Sequence, residues 1–366
     1  MRLRSRHPRT PVAHRLAPER PRLATRHKAG LALLTVLLVL GLLEGASRVF
    51  FRLTPNARWQ SHRHLVETVG FPALNEILVP DDDLFWRLKP SLARQTLAGQ
   101  IAQSTPLRFA VATDARGCRC LPHVDRPQHQ VVFLGDSTTF GIAVDDDQTF
   151  PALIQRRWPG VQCLNLGVPG YTAYQGRRWL ERFPFEASPD VVVITFGFND
   201  AAAWDDLSDT EHARRSTAER ARLVSHIRLI TLLRQAFPPP EPAVPDAGTL
   251  RPRLTDDEFA DELRAMIAWC RARQAEPVLM VWPKGGQLVN PAPLPKQLAV
   301  LRLAEAEHVR VVNLVTAFRA RGDRALFADV IHASPAGCEL VAATLLPVLQ
   351  EVLAERTPPP TTTPQR

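Results

Sequence analysis

A chain of 366 residues that is 45% hydrophobic and 22% charged has enough apolar content for a large core, which excludes a mainly disordered protein. Its net charge of +8 lies in residues 1–28, where nine Lys and Arg face one acid, Glu19; the rest carries 36 of the 45 basic and 36 of the 37 acidic side chains. A basic arm on a formally neutral body argues against nucleic-acid binding despite the high pI.

The arm is followed by AGLALLTVLLVLGLL, residues 29–43, which has neither a charge nor a polar face. As a helix this run spans about 22 Å, short of a hydrocarbon core of about 30 Å. Extension to Phe51 supplies the missing length, with Glu44 and Arg48 near the outer rim. A cleaved signal peptide is the closest rival, but it has a shorter basic region and a small-x-small cleavage site, whereas here 28 residues precede the run and EGAS is the only approximation. No Arg-Arg pair supports a twin-arginine signal. An uncleaved membrane anchor is therefore expected over 29–51, with arm 1–28 in the cytoplasm against anionic lipid and the remainder periplasmic or extracellular. The five cysteines, Cys118, Cys120, Cys163, Cys270 and Cys338, are scattered, and Cys118-x-Cys120 matches no zinc spacing.

Residues 52–130 contain DDDLFWRLKP (81–90) and LRFAVATDARGCRC (107–120), which read as short strands around turns in a membrane-proximal extension. From residue 131 apolar runs alternate with helix-like segments. The strand candidates are VVFLG (131–135), VQCLNL (161–166), DVVVITFG (190–197), PVLMVW (277–282) and VRVVNL (309–314). Helices are expected over 146–157, over 211–236, from Thr255, where Glu258 completes a capping box, and after His332. Strands apolar on both faces and separated by helices imply a parallel sheet covered on both sides, with ligands beyond the strands' carboxyl ends. PPPEPAVP (238–245) falls in a loop of about 18 residues that fits a solvated linker or a flap at the site rim. TPPPTTTPQR, at the end of a tail spanning 356–366, is of low complexity and expected to be disordered.

The strand ends carry the chemistry. Gly135-Asp136-Ser137 follows the first strand, Asn165-x-Gly167-x-x-Gly170 the second and Gly197-x-Asn199-Asp200 the third, while Asp329-x-x-His332 precedes the last helix. Each alone has an ordinary account: a helix cap, positive-φ turns, an Asx turn, a surface turn. Together, on one sheet edge, they supply every role in acyl-ester hydrolysis. Ser137 is a nucleophile that needs a base, and His332 is that base, since imidazole takes up and returns a proton near neutrality. Asp329 orients the imidazole and stabilises its cation. The N–H groups of Ser137 and Gly170 and the Asn199 side-chain amide are candidates for an oxyanion hole.

FLGDSTTFG, NLGVPGYT, FGFND and DVIHASPAG resemble blocks I, II, III and V of the SGNH (GDSL) hydrolases, over about residues 131–350. The resemblance implies an α/β fold, a three-layer α/β/α sandwich with a flavodoxin-like five-stranded parallel sheet, over a domain at 131–355. It carries the namesake residues onto Ser137, Gly170, Asn199 and His332, and the acid of the last block onto Asp329. It implies an esterase, lipase, thioesterase or carbohydrate deacetylase with no metal and no cofactor. The anchor and extension are similar to a bacterial, membrane-tethered subgroup. Tyr171 stands where many members carry Asp, which bears on substrate preference. Trp204, Phe198 and Tyr171 are candidates for the pocket wall, with ordinary packing the commoner role for aromatics near strand ends, and Asp200 is expected to support its turn.

The expected activity is serine-dependent hydrolysis of short acyl esters, O-acetyl groups on polysaccharide among them, outside the cytoplasm. Two alternatives are an O-acyltransferase using the same acyl-enzyme and a non-catalytic binding protein. The latter usually loses the nucleophile or the base, and this chain has both Ser137 and His332.

Overall fold

The structure, a computed structural model, describes residues 25–53, 71–101, 106–203, 207–220, 227–237 and 250–356. The apolar run lies in helix α1 (Thr25–Leu53), which is long and apolar enough to cross a membrane and whose apolar window is not buried by the rest of the chain. A membrane anchor and a signal peptide both have this character. The most N-terminal residues of the arm and the tail from 357 lie outside the described residues.

Two antiparallel pairs precede the main sheet. β1 (Leu78–Asp81) pairs with β2 (Phe85–Leu88), and β3 (Gln95–Gly99) with β4 (Leu107–Val111). The five expected strands then form one parallel sheet: β5 (His129–Gly135), β6 (Val161–Gly167), β7 (Val191–Thr195), β8 (Glu276–Val281) and β9 (Arg310–Asn313). Their order is β6-β5-β7-β8-β9, the flavodoxin-like order, in which the chain reverses direction across β5.

Side-chain alternation sorts the strands into two cores. Val132, Leu134, Leu164, Leu166, Val192 and Ile194 face one layer, with α4 (Ala173–Arg182), α7 (Asp256–Ala272) and α8 (Pro295–Ala306). Val131, Phe133, Val161, Cys163, Val191 and Val193 face the other, with α3 (Phe150–Arg157), α9 (Leu314–Arg321) and α10 (Pro335–Arg356). The fold is an α/β/α sandwich. The two small hairpins join the first core through Trp86, Phe109 and Val111.

The expected helix over 146–157 is a 3-10 turn (Asp146–Gln148) followed by α3, because Thr149 caps a fresh start and Pro151 suits only a first turn. The stretch 211–236 contains two helices, α5 (Asp209–Arg220) and α6 (Arg228–Ala236), with residues 221–226 outside the described set. The unanticipated α4 has Gly176 in its middle, a poor helix former. A Cβ there would lie 2.1 Å from the Phe196 ring, so close packing, not propensity, sets that residue. All five cysteines are free, and burial pushes the Cys270 and Cys338 thiols up to about 12.

Candidate active site

β5 ends at Gly135, and the chain turns directly into the short helix α2 (Ser137–Phe140), which precedes α3 in the chain. Asp136 is the cap: its Oδ1 accepts from the Thr138 N–H and the Thr138 hydroxyl, each at 2.8 Å. Ser137 is thus the first residue of a helix whose opening N–H groups have no intrahelical acceptor. Helix α2 lies on the end of β6 without clearance. A Cβ on Gly167 would stand 2.1 Å from the Phe140 nitrogen, so only glycine lets the Ser137 turn sit there.

His332 arrives from a separate turn. Its Nε2 lies 2.8 Å from Ser137 Oγ and its Nδ1 lies 2.6 Å from Asp329 Oδ2. Asp329 Oδ1 accepts from the N–H groups of Ile331 at 2.8 Å and His332 at 2.7 Å, which fixes the carboxylate within its own turn. Burial raises the Asp329 pKa, but bonding to His332 and to those two N–H groups outweighs it and holds the group below the ordinary carboxylate value. Ser137, Asp329 and His332 are all buried.

Gly170 follows β6 with φ of 81°, a left-handed conformation that suits glycine. The Asn199 amide nitrogen donates to the Tyr171 carbonyl at 3.0 Å and to Asp136 Oδ2 at 3.2 Å, linking the turns after β5, β6 and β7. Beneath it Asp200 accepts from the Gly197 and Ala173 N–H groups, both at 2.8 Å. Burial pushes Asp200 up to about 7, against those bonds and the nearby Arg253. Ser137, Gly170 and Asn199 lie at the carboxyl edge of the sheet, where their strands end, and Asp329 and His332 reach the same edge from the turn before α10.

Residues 133–340 match the family model described as GDSL-like Lipase/Acylhydrolase family, more than half of the chain. The chain belongs to that family. No curated protein matches it. Among solved structures it is similar to the lipase/acylhydrolase from Enterococcus faecalis, 21% identical, covering 61% of this chain and 96% of that one with a TM-score of 0.41. It is also similar to Axe2, an acetylxylan esterase from Geobacillus stearothermophilus, 18% identical, covering 62% and 94%, with a TM-score of 0.39.

As a GDSL-family ester hydrolase, the protein holds its site with residues that no motif marks. Arg119, from the segment before β5, is fully buried and uses all five donors. It bonds the carbonyls of Phe140 and Gly141 at 2.7 Å each, those of Ala110 and Val144 at 2.9 and 2.7 Å, and Asp146 Oδ1 at 2.8 Å. It thereby grips the C-terminal end of the hydrolase's α2. Arg253 does the same for the next turn: it donates to the Gly170 carbonyl at 2.6 Å and pairs with Asp209, with bonds of 3.0 and 2.8 Å. Trp86 of β2 completes that grip, donating from its indole to the Pro169 carbonyl at 2.9 Å. Arginine is mostly exposed and almost never fully buried unless paired, so neither cation could be singled out from sequence pattern.

Tyr171 is fully buried, its ring edge-on to Trp86 and its hydroxyl donating to the Trp86 carbonyl at 2.7 Å. It packs the hairpin and does not line a pocket, contrary to expectation. Phe198 does line one: a cavity of about 360 Å³ bounded also by Thr138, Gly197, Trp282, Lys284 and Ile331 adjoins the Ser137 and His332 turns. Trp282 also donates to the Ile331 carbonyl at 2.8 Å, bracing the residue before His332. Trp204 lies outside the described residues, as does most of the 238–252 loop, 238–249.

Proposed function

We propose that this hydrolase cleaves short acyl esters, O-acetyl groups on polysaccharide included, through a Ser137–His332–Asp329 triad. Ser137 Oγ attacks the ester carbonyl as His332 Nε2 takes its proton. The resulting imidazolium is stabilised by Asp329, held ionised by the bonds described above. The Ser137 and Gly170 N–H groups stabilise the oxyanion, joined by the Asn199 amide once it releases its bond to the Tyr171 carbonyl or to Asp136, each donor contributing roughly 3–4 kcal/mol to the stabilisation. Collapse expels the alcohol, which receives the proton from His332. A water deprotonated by the same imidazole then attacks the acyl-Ser137 carbonyl, releasing the acid and regenerating the hydroxyl. What carries the reading is the unbroken chain of 2.8 and 2.6 Å contacts from Ser137 Oγ through His332 to Asp329.

We further propose that α1 is retained as the anchor, with arm 1–28 on the cytoplasmic side, 52–130 as a membrane-proximal extension and the hydrolase domain, 131–355, outside. Its support is a helix whose large apolar side chains from Leu31 to Leu43 stay exposed among the described residues. The test of the chemistry is hydrolysis of p-nitrophenyl esters from acetate to octanoate by the full chain in detergent, beside Ser137→Ala and His332→Ala. Turnover by the parent, lost in both folded variants, supports the triad. A background rate shared by all three refutes it. Retention of the arm by the membrane-extracted protein, read by mass, checks the anchor.

A further inference from the structure

Helix α6 divides cleanly around its axis. Leu229, Ile230, Leu232 and Leu233 fall on one arc, which Phe237 continues just past the helix end, Ile227 caps the start, and the sequence spacing sets positions 228, 231, 234 and 235 on the other arc. An amphipathic surface helix of a globular protein buries its apolar arc. This one does not: Ile227 is 39%, Leu233 48% and Phe237 77% exposed, and Leu229, Ile230 and Leu232 are only partly covered. What it touches is the anchor. α6 packs beside α1, and Glu44 of α1 accepts from the backbone N–H groups of Arg228 at 3.0 Å and Leu229 at 2.8 Å, while its carboxylate pairs with Arg48 at 2.8 Å.

The height of that contact follows from the chain. Glu44 lies fifteen residues past the start of the charge-free run at residue 29, a rise of about 22 Å. A hydrocarbon core of about 30 Å extends roughly 8 Å further, so Glu44 meets the lipid below the headgroups. A carboxylate at that depth needs partners, and α6 supplies two N–H groups from its first turn. The depth also matches the 5–10 Å to which an interfacial amphipathic helix sinks its apolar face. Arginines bordering a Leu- and Phe-rich arc are the composition of such a helix.

We infer that α6 lies in the outer lipid interface against the anchor, its apolar arc of Leu233 and Phe237 in the acyl boundary. This rests on the reading of α1 as a retained anchor. The consequence reaches the site. The excursion that contains α6 leaves and rejoins the domain where Asp209 and Arg253 pair, and Arg253 holds the Gly170 carbonyl. The bilayer is thus the occupant of the exposed arc, and the hydrolase domain is tethered at a second point beside the Gly170 turn.

The experiment places p-benzoylphenylalanine at position 37, 231, 233 or 237 of the full chain in phosphatidylglycerol–phosphatidylethanolamine nanodiscs, with unchanged melting as the check on folding, and reads photo-adducts by mass. Lipid adducts at 37, 233 and 237, with loss of most of the signal at 231, are expected. Lipid adducts at 37 with positions 233 and 237 no better than 231, or with protein adducts in their place, would overturn the inference and leave the anchor standing. Absence of lipid adducts at 37 would overturn the anchor and the inference with it.

Discussion

Asp329 and His332 sit three residues apart and hold each other within a single turn, whereas the Ser137 and Gly170 turns are held from outside by Arg119 and Arg253. On the first side the bonds that orient the pair are local: Asp329 accepts from the N–H groups of Ile331 and His332 and from the His332 ring, with Trp282 adding a brace on the Ile331 carbonyl. On the second side the bonds are long-range, Arg253 reaching 83 residues back to Gly170 and Arg119 reaching 21 residues on to Phe140. A turn that satisfies itself can be moved as a unit. Carbonyls at the end of a tight helix cannot satisfy themselves, and a buried guanidinium with five donors is an efficient way to collect several of them at once. The price is a cation out of water, which Asp146 and Asp209 offset.

The comparison breaks most sharply if the local side is cut. Ser137→Ala or His332→Ala should lower kcat by a factor on the order of 10⁶, and Asp329→Asn by about 10⁴, with little change in melting. Steady-state kinetics beside thermal melts check this, and a Asp329→Asn variant that unfolds instead would mean that the turn does not hold itself. On the other side Arg119→Leu should cost about 3–5 kcal/mol of stability, because it leaves buried Asp146 with only the half-exposed Arg94 at 3.6 Å for a cation and four carbonyls short of a donor. Urea melts read the loss, and Arg119→Leu with Asp146→Asn should recover part of it. Full stability of the single variant would show that the long-range grip is dispensable.

Asn199→Ala should lower kcat by about 10²–10³ while KM moves little, as expected of a donor used mainly in the transition state. A rise in KM alone would reassign Asn199 to ground-state binding. The smallest effect concerns Asp200. Its folded pKa is raised to about 7 from an ordinary 3.8, so the folded chain keeps a proton that the unfolded chain sheds. Its contribution therefore makes stability fall as pH rises through that window. Asp329 has the opposite sign: its folded value is depressed, so its contribution is present above the ordinary value and lost only as pH falls through the lower one. The melting temperature of the parent should fall relative to that of Asp200→Asn as pH rises from about 4 to 7, and parallel curves would rule out the shift.

Much of this was legible before any coordinates. Five strands could be read because a parallel sheet, buried on both faces, leaves near-continuous apolar runs, and the candidates Ser137, Gly170 and Asn199 could be read because each follows one of those runs, whereas Asp329 and His332 stand out only by their spacing before the last helix. Sequence order could not decide between pocket wall and ordinary packing for Tyr171, which stands beside a site residue, and the turn sends its ring into Trp86. Helix α4 was missed because Gly176 lowers local propensity for the sake of a contact with Phe196 that lies twenty residues on.

The number and position of the strands, the sheet edge on which the candidate site lies and the chemical identity of its side chains were determined by the sequence itself, because apolar periodicity and the few residue types able to act as nucleophile, base and orienting acid are local properties. The grip of Arg119 and Arg253, the burial of Tyr171 and the docking of α6 on Glu44 were decided only in the tertiary structure. Those depend on which carbonyls and apolar arcs are left unsatisfied once distant segments meet, and no local pattern records that.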